Sequence, residues 1–253
     1  RNYDLAISFL TPHYIVANRV KAKKKIAWIH TDYSEIQINE SSEYKMWNCY
    51  DNIISISEAV TKSFTRTFPQ MVNKVLMIEN ILPKEFILSQ ANALDVQNEM
   101  PQDGNWRFLS IGRYCYAKNF DNVPEICYRL IQAGINVSWY IIGFGSDEEL
   151  IKSKIMQWNM EEHVILLGKK ENPYPYIKSC DWYIQPSRFE GKAVAVCEAQ
   201  ILHKPVIIAN YATAKSQLVN GYDGMIVSQD NVECAKEIAN IIKDEKLKES
   251  LID

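Results

Sequence analysis

Three absences narrow this 253-residue chain before any motif is considered. No apolar run approaches the ~20 residues needed to span a bilayer. No two aspartates stand one residue apart, so a magnesium ion clamped on a diphosphate has no obvious carboxylate pair to hold it. The six cysteines, at 49, 115, 127, 180, 197 and 234, form no Cys-x-x-Cys pair, and no histidine falls at zinc-finger spacing. They read as reduced thiols of a cytoplasmic protein. The chain opens on Arg1-Asn2-Tyr3-Asp4 and enters a strand at once, which leads us to expect no signal peptide and an N-terminal truncation.

What is present is a globular composition, 47% hydrophobic and 23% charged, with a length that suits two domains. The net charge of −3 is uneven: residues 1–84 carry 11 Lys and Arg against 8 Asp and Glu. A modestly basic first part can favour an anionic acceptor or lipid surface, although a solvated face is the simpler and preferred explanation. Strand patterns at 4–10, 25–30, 52–56 and 74–78 alternate with helical ones, including 58–68 behind a Ser57 cap. The cation-rich run 19–25 reads as a helix end between the first two strands. From 85 to 105 the pattern loosens into a linker. Six further strands follow, at 106–111, 137–142, 164–167, 182–185, 205–209 and 225–227, and a final amphipathic helix spans 232–251. Such alternation implies parallel sheets.

Ligands of parallel α/β sheets bind off the carboxyl ends of the strands. At those ends the sequence places His30-Thr31-Asp32, then Gly112-Arg113 with Lys118, then Gly143-Phe144-Gly145, then Glu190-Gly191-Lys192-Ala193-Val194. The last is a loop running into an apolar helix start, where free N–H groups and the helix dipole suit an anion. Arg113 and Lys118 can neutralise a diphosphate, one as a fork and one as a point charge. Glu198 lies about one and a half turns into the helix.

These motifs, with Glu190-x7-Glu198 and Asn220-Gly221-Tyr222-Asp223-Gly224, resemble the family 4 retaining glycosyltransferases of GT-B fold. The resemblance implies an α/β chain of two Rossmann-like, doubly wound parallel-sheet domains facing a cleft, the first incomplete. Residues 1–84 would form the partial acceptor-side domain, 85–105 the linker and 106–253 the nucleotide-sugar domain. It implies catalytic roles for Glu190, Arg113, Lys118 and His30. Donor binding would fall to Gly112, Gly143, Gly145, Gly191, Lys192, Ala193, Val194 and Glu198, with Glu198 accepting from the ribose hydroxyls and the Gly168-Lys169 turn bordering the base. The implied reaction moves a hexose or N-acetylhexosamine from a UDP- or GDP-sugar to a glycan or lipid-linked saccharide, with retention and without metal or other cofactor. No nucleic-acid partner is expected, and the first domain is a candidate for peripheral contact with the inner face of the cell membrane. The family often has Glu-Gly-Phe-Gly where this chain has Glu190-Gly191-Lys192-Ala193, so its sugar-facing loop gains a cation. An inactive glycan-binding or partner subunit, an epimerase and a phosphorylase are the competing readings.

Overall fold

The computed structural model describes residues 1–34 and 36–251. The last two residues of the stretch 106–253 therefore lie outside it. The chain divides into two compact units, Arg1–Ile81 with Phe189–Lys192, and Leu82–Arg188 with Ala193–Asp253.

In the first unit β1 (Asn2–Ser8), β2 (Lys21–Ile29), β3 (Asn52–Ser55) and β4 (Val75–Met77) lie side by side in sequence order, each pair parallel. Their crossovers carry α1 (Tyr14–Asn18), α2 (Glu40–Asn48) and α3 (Glu58–Thr67). The strand order does not reverse among the described residues, so right-handed crossovers place these helices on one face. Ala27, Ile29 and Ile53 meet Trp47, Val60 and Phe64 there, while Leu5, Ile7 and Leu76 on the other face are exposed. Ser57 caps α3 as its position suggested, its side chain accepting from the Val60 N–H.

The second unit begins with α4 (Lys84–Gln90) and continues β5 (Trp106–Ile111), α5 (Val123–Gln132), β6 (Val137–Ile142), α6 (Glu148–Gln157), β7 (Val164–Gly168), α7 (Tyr174–Ser179), β8 (Trp182–Gln185), α8 (Val194–Ile201), β9 (Val206–Ala209), α9 (Ala214–Gln217), β10 (Met225–Val227), α10 (Asn231–Ile242) and α11 (Glu245–Ser250). Its parallel sheet has the order β10-β9-β8-β5-β6-β7. The direction reverses between β5 and β8, which makes their carboxyl ends the topological switch point. Both faces are covered, so the strands are largely apolar, with Arg107, Ser110, Ser138 and Gln185 as their buried polar residues. Phe108, Trp139 and Trp182 point to one core and Leu109, Tyr140 and Tyr183 to the other.

Three expectations change. Of the cations read as a helix end, Arg19 does cap α1, but the lysines at 21–25 stand in β2, where the chain pairs with β1; Lys23 bonds Asp4 at 2.7 Å and the Lys25 ammonium donates to the Ala17 carbonyl. They occupy the amino-terminal end of the sheet, opposite the strand ends that offer a site. The stretch 85–105 holds most of α4 and sends Ile87, Ala91, Val96 and Met100 into the second unit's core. Its polar composition concealed the four anchors. The final helix is two, since α10 stops at Ile242 with Lys243 as its C-cap and Asp244 caps the next through the Leu247 N–H. Among the described residues no helix is long and apolar enough to cross a membrane.

Candidate functional site

The loops leaving β5 and β6 pack backbone to backbone. The Gly112 N–H donates to the Ile142 carbonyl, the Tyr114 N–H to Phe144 and the Gly143 N–H to Gly168. A Cβ on Gly143 would stand 1.9 Å from the Gly112 carbonyl oxygen, so only glycine permits this approach. Gly145 lies against the Tyr114 carbonyl in the same junction. Lys169 crosses the Phe144 ring with its ammonium 5.8 Å from the centroid. Gly112, Gly143, Gly145 and the Gly168-Lys169 turn, expected from four separate positions, thus form one surface.

Lys118 is half-buried and Arg113 exposed. The Lys118 stem runs over Gly112, whose hypothetical Cβ would meet Cδ and Cε at 3.0 Å. The loop carrying Lys118 is braced by Arg188, a residue for which the sequence offered no signal. Its guanidinium donates to both Asp121 oxygens at 2.9 and 2.7 Å and to the Tyr116 carbonyl at 2.6 Å, and it stacks 4.2 Å from the Tyr116 ring centroid. The Arg188 N–H reaches the Ala117 carbonyl at 2.8 Å, and Asn119, left-handed at φ 61°, donates to the Pro186 carbonyl. Because β5 and β8 are neighbours, their exit loops lock together. A bidentate ion pair of this kind is among the stronger polar contacts.

Ala193 precedes α8 without a side-chain cap, and its own N–H donates to Gln217 Oε1 at 2.8 Å. The Val196 N–H turns back to the Ala193 carbonyl. The Val194 and Ala195 N–H groups belong to the first turn, where a helix has no intrahelical acceptors to offer. Glu198, deeper in α8, is half-buried, accepts from the Tyr174 hydroxyl at 3.1 Å and has its pKa raised by burial. Tyr174 and Gln217 were missed: the first is visible only as an aromatic following β7, and the second carries no sequence signal.

Glu190, Gly191, Lys192 and His30 belong to the first unit. A Cβ on Gly191 would fall 2.3 Å from the His30 carbonyl oxygen, so backbone meets backbone again. Lys192 pairs with Glu79 at 2.9 Å, which offsets the cation this loop carries. The His30 ring leaves β2 against Phe9, with centroids 4.6 Å apart, and its Nε2 is buried without a hydrogen-bond partner among the described residues. Such an atom can bond a ligand hydroxyl. Burial lowers the His30 pKa below its ordinary 6.5, so the fold favours the neutral ring. Its contribution to stability is complete above the unfolded value and is lost as pH falls through the lower folded value. Urea midpoints between pH 8 and 5 are expected to decline along that slope, and His30→Gln to flatten it.

A family model described as glycosyl transferases group 1 matches residues 94–253. The capsular polysaccharide biosynthesis glycosyltransferase CapM of Staphylococcus aureus is 25% identical over 209 residues, covering 80% of this chain and 55% of CapM. The N-acetylgalactosamine-N,N'-diacetylbacillosaminyl-diphospho-undecaprenol 4-alpha-N-acetylgalactosaminyltransferase of Campylobacter jejuni is 26% identical over 144 residues, 56% of this chain and 39% of that protein. The chain spans about half the length of the curated relatives it matches. Among solved structures, Anabaena Alr3699/HepE in complex with UDP and glucose superposes with a TM-score of 0.79 at 16% identity, covering 90% of this chain and 65% of that one. That likeness concerns the fold, and it agrees with the GT-B-like α/β class expected from the sequence. With more than half of its residues matched by the family model, the chain belongs to the glycosyl transferases group 1 family.

Proposed function

We propose that this protein is a retaining, metal-independent glycosyltransferase that moves a hexose or N-acetylhexosamine from a UDP-sugar to a glycan or lipid-linked saccharide. The observation that carries the reading is the joining of the Lys118 loop to the β8 exit, beside an uncapped helix start at the switch point of the second sheet. Two cations and first-turn N–H groups suit a diphosphate there.

In the transfer an acceptor hydroxyl oxygen bonds to the anomeric carbon as the bond from that carbon to the β-phosphate oxygen breaks. The electron pair leaves with the nucleoside diphosphate, and the hydroxyl proton passes to the departing phosphate on the same face. Lys118 and Arg113 stabilise the growing phosphate charge, work that a divalent ion does elsewhere. Neutral His30 and Glu190 bond hydroxyls of the transferred sugar, Gly191 to Val194 contact phosphate and sugar through backbone N–H groups, and Glu198 accepts from the ribose. No covalent sugar adduct on Glu190 is required. The resemblance of the sequence motifs to family 4, with the Glu190-x7-Glu198 spacing, supports retention.

The diphospho-undecaprenol in the Campylobacter relative's name and the capsular polysaccharide in CapM's support a lipid-linked or surface-polysaccharide acceptor. Such an acceptor suits a cytoplasmic protein working at the inner membrane face. Titration with UDP, GDP and ADP, first with a chelator and then with magnesium, tests the donor site. UDP is expected to bind equally in both conditions, and transfer followed by NMR to keep the anomeric configuration. Magnesium-dependent binding or an inverted product overturns the corresponding half of the proposal.

A further inference from the structure

Glu198 is a half-buried carboxylate on a helix whose first turn faces the switch point, and its side chain has rotatable bonds that a bare cleft would leave free. One group restrains it. The Tyr174 hydroxyl donates to Oε1 at 3.1 Å, leaving Oε2 without a protein partner among the described residues.

Tyr174 is itself held from several sides. It opens α7 between Pro173 and Pro175, whose fixed backbone angles stiffen the turn. Its N–H donates to Asn172 Oδ1 at 3.2 Å, and the Asn172 amide donates to the Gln90 carbonyl at 3.0 Å, tying the turn to α4. The Phe86 ring stands edge-on at 6.3 Å and 90°. Two positions on, the Tyr176 hydroxyl donates to Glu99 at 2.7 Å. Burial and the neighbouring Glu198 charge push the Tyr174 hydroxyl up to about 12, so it stays a donor throughout the neutral range.

We propose that Tyr174 is a positioning residue that holds Glu198 in the orientation presenting Oε2 to the ribose hydroxyls of the donor nucleotide. This rests on the donor-site reading above. A carboxylate pinned through one oxygen loses little further freedom on accepting a ribose hydroxyl with the other, so affinity for the sugar-ring hydroxyls depends on a residue that never touches them.

The test compares UDP with 2′,3′-dideoxy-UDP in the wild-type chain, Tyr174→Phe and Glu198→Gln by calorimetry, with melting temperatures to check the fold. Phenylalanine keeps the ring and its packing. The wild type is expected to prefer UDP about tenfold or more, as a hydrogen bond to a charged group implies. Tyr174→Phe should lose most of that preference by weakening UDP alone, with dideoxy-UDP bound as before. Glu198→Gln should lose the preference as well. If Glu198→Gln abolishes the preference and Tyr174→Phe retains it, or weakens both nucleotides alike, Tyr174 has no positioning role and the donor site stands. If the wild type binds neither nucleotide, or binds both equally, the ribose assignment of Glu198 is wrong and the role of Tyr174 falls with it.

Discussion

Lys118→Ala is expected to lower sugar transfer about 10²–10³-fold, the usual cost of removing one preorganised group that stabilises charge in the transition state. The loss should appear in kcat and in kcat/KM alike, since the phosphate charge grows only as the bond to the sugar breaks. Melting should hardly move: Arg188 braces the loop through Asp121, the Tyr116 carbonyl and the Ala117 carbonyl, none of which needs the Lys118 ammonium. Arg113 is exposed, so water and salt screen it more. Arg113→Ala should cost less, and the deficit it causes should shrink at high ionic strength. A Lys118→Ala enzyme with wild-type transfer would remove the diphosphate from this loop.

Gly143→Ala is the second large effect, and it falls on stability. The added methyl would stand 1.9 Å from the Gly112 carbonyl oxygen, 2.8 Å from the Tyr114 ring and 3.0 Å from the Gly112 carbonyl carbon. Two of these atoms are backbone, so the β5 and β6 exits must move apart. The bonds from Gly112 to Ile142, Tyr114 to Phe144 and Gly143 to Gly168 hold that junction, and Tyr114 is buried beneath it. The expected loss is about 3 kcal/mol, the upper end of ordinary overpacking, read from urea unfolding. UDP binding should weaken with it, because the same shift drags Gly112 from beneath the Lys118 stem. An unchanged urea midpoint would mean that the two loops do not pack as described.

Much of this architecture is legible in the chain itself. Buried strands such as Val206–Ala209 announce themselves as unbroken apolar runs, and Ser57 marks a helix start three residues ahead of the N–H it caps. The glycines at the strand exits are equally visible, although the resemblance gave Gly143 and Gly145 a donor-binding role and the structure adds that neighbouring backbone requires them. The misreadings share a cause. Lysines at 21, 23, 24 and 25 look the same at a helix end as on a strand paired with β1, and the four apolar anchors of residues 85–105 are too sparse among Gln, Asn and Asp to display a period.

By itself the sequence determined the alternation of parallel strands and helices and the strand ends where cations, carboxylates and glycines gather. These follow from periodicity and turn chemistry, which act over a few residues. Only the tertiary structure decided that β5 lies beside β8, that Arg188 reaches back 67 residues to Asp121, and that Tyr174 meets Glu198 across 24. Such partners are chosen by how sheets and helices pack, and local pattern carries no record of which distant side chain that packing will bring near.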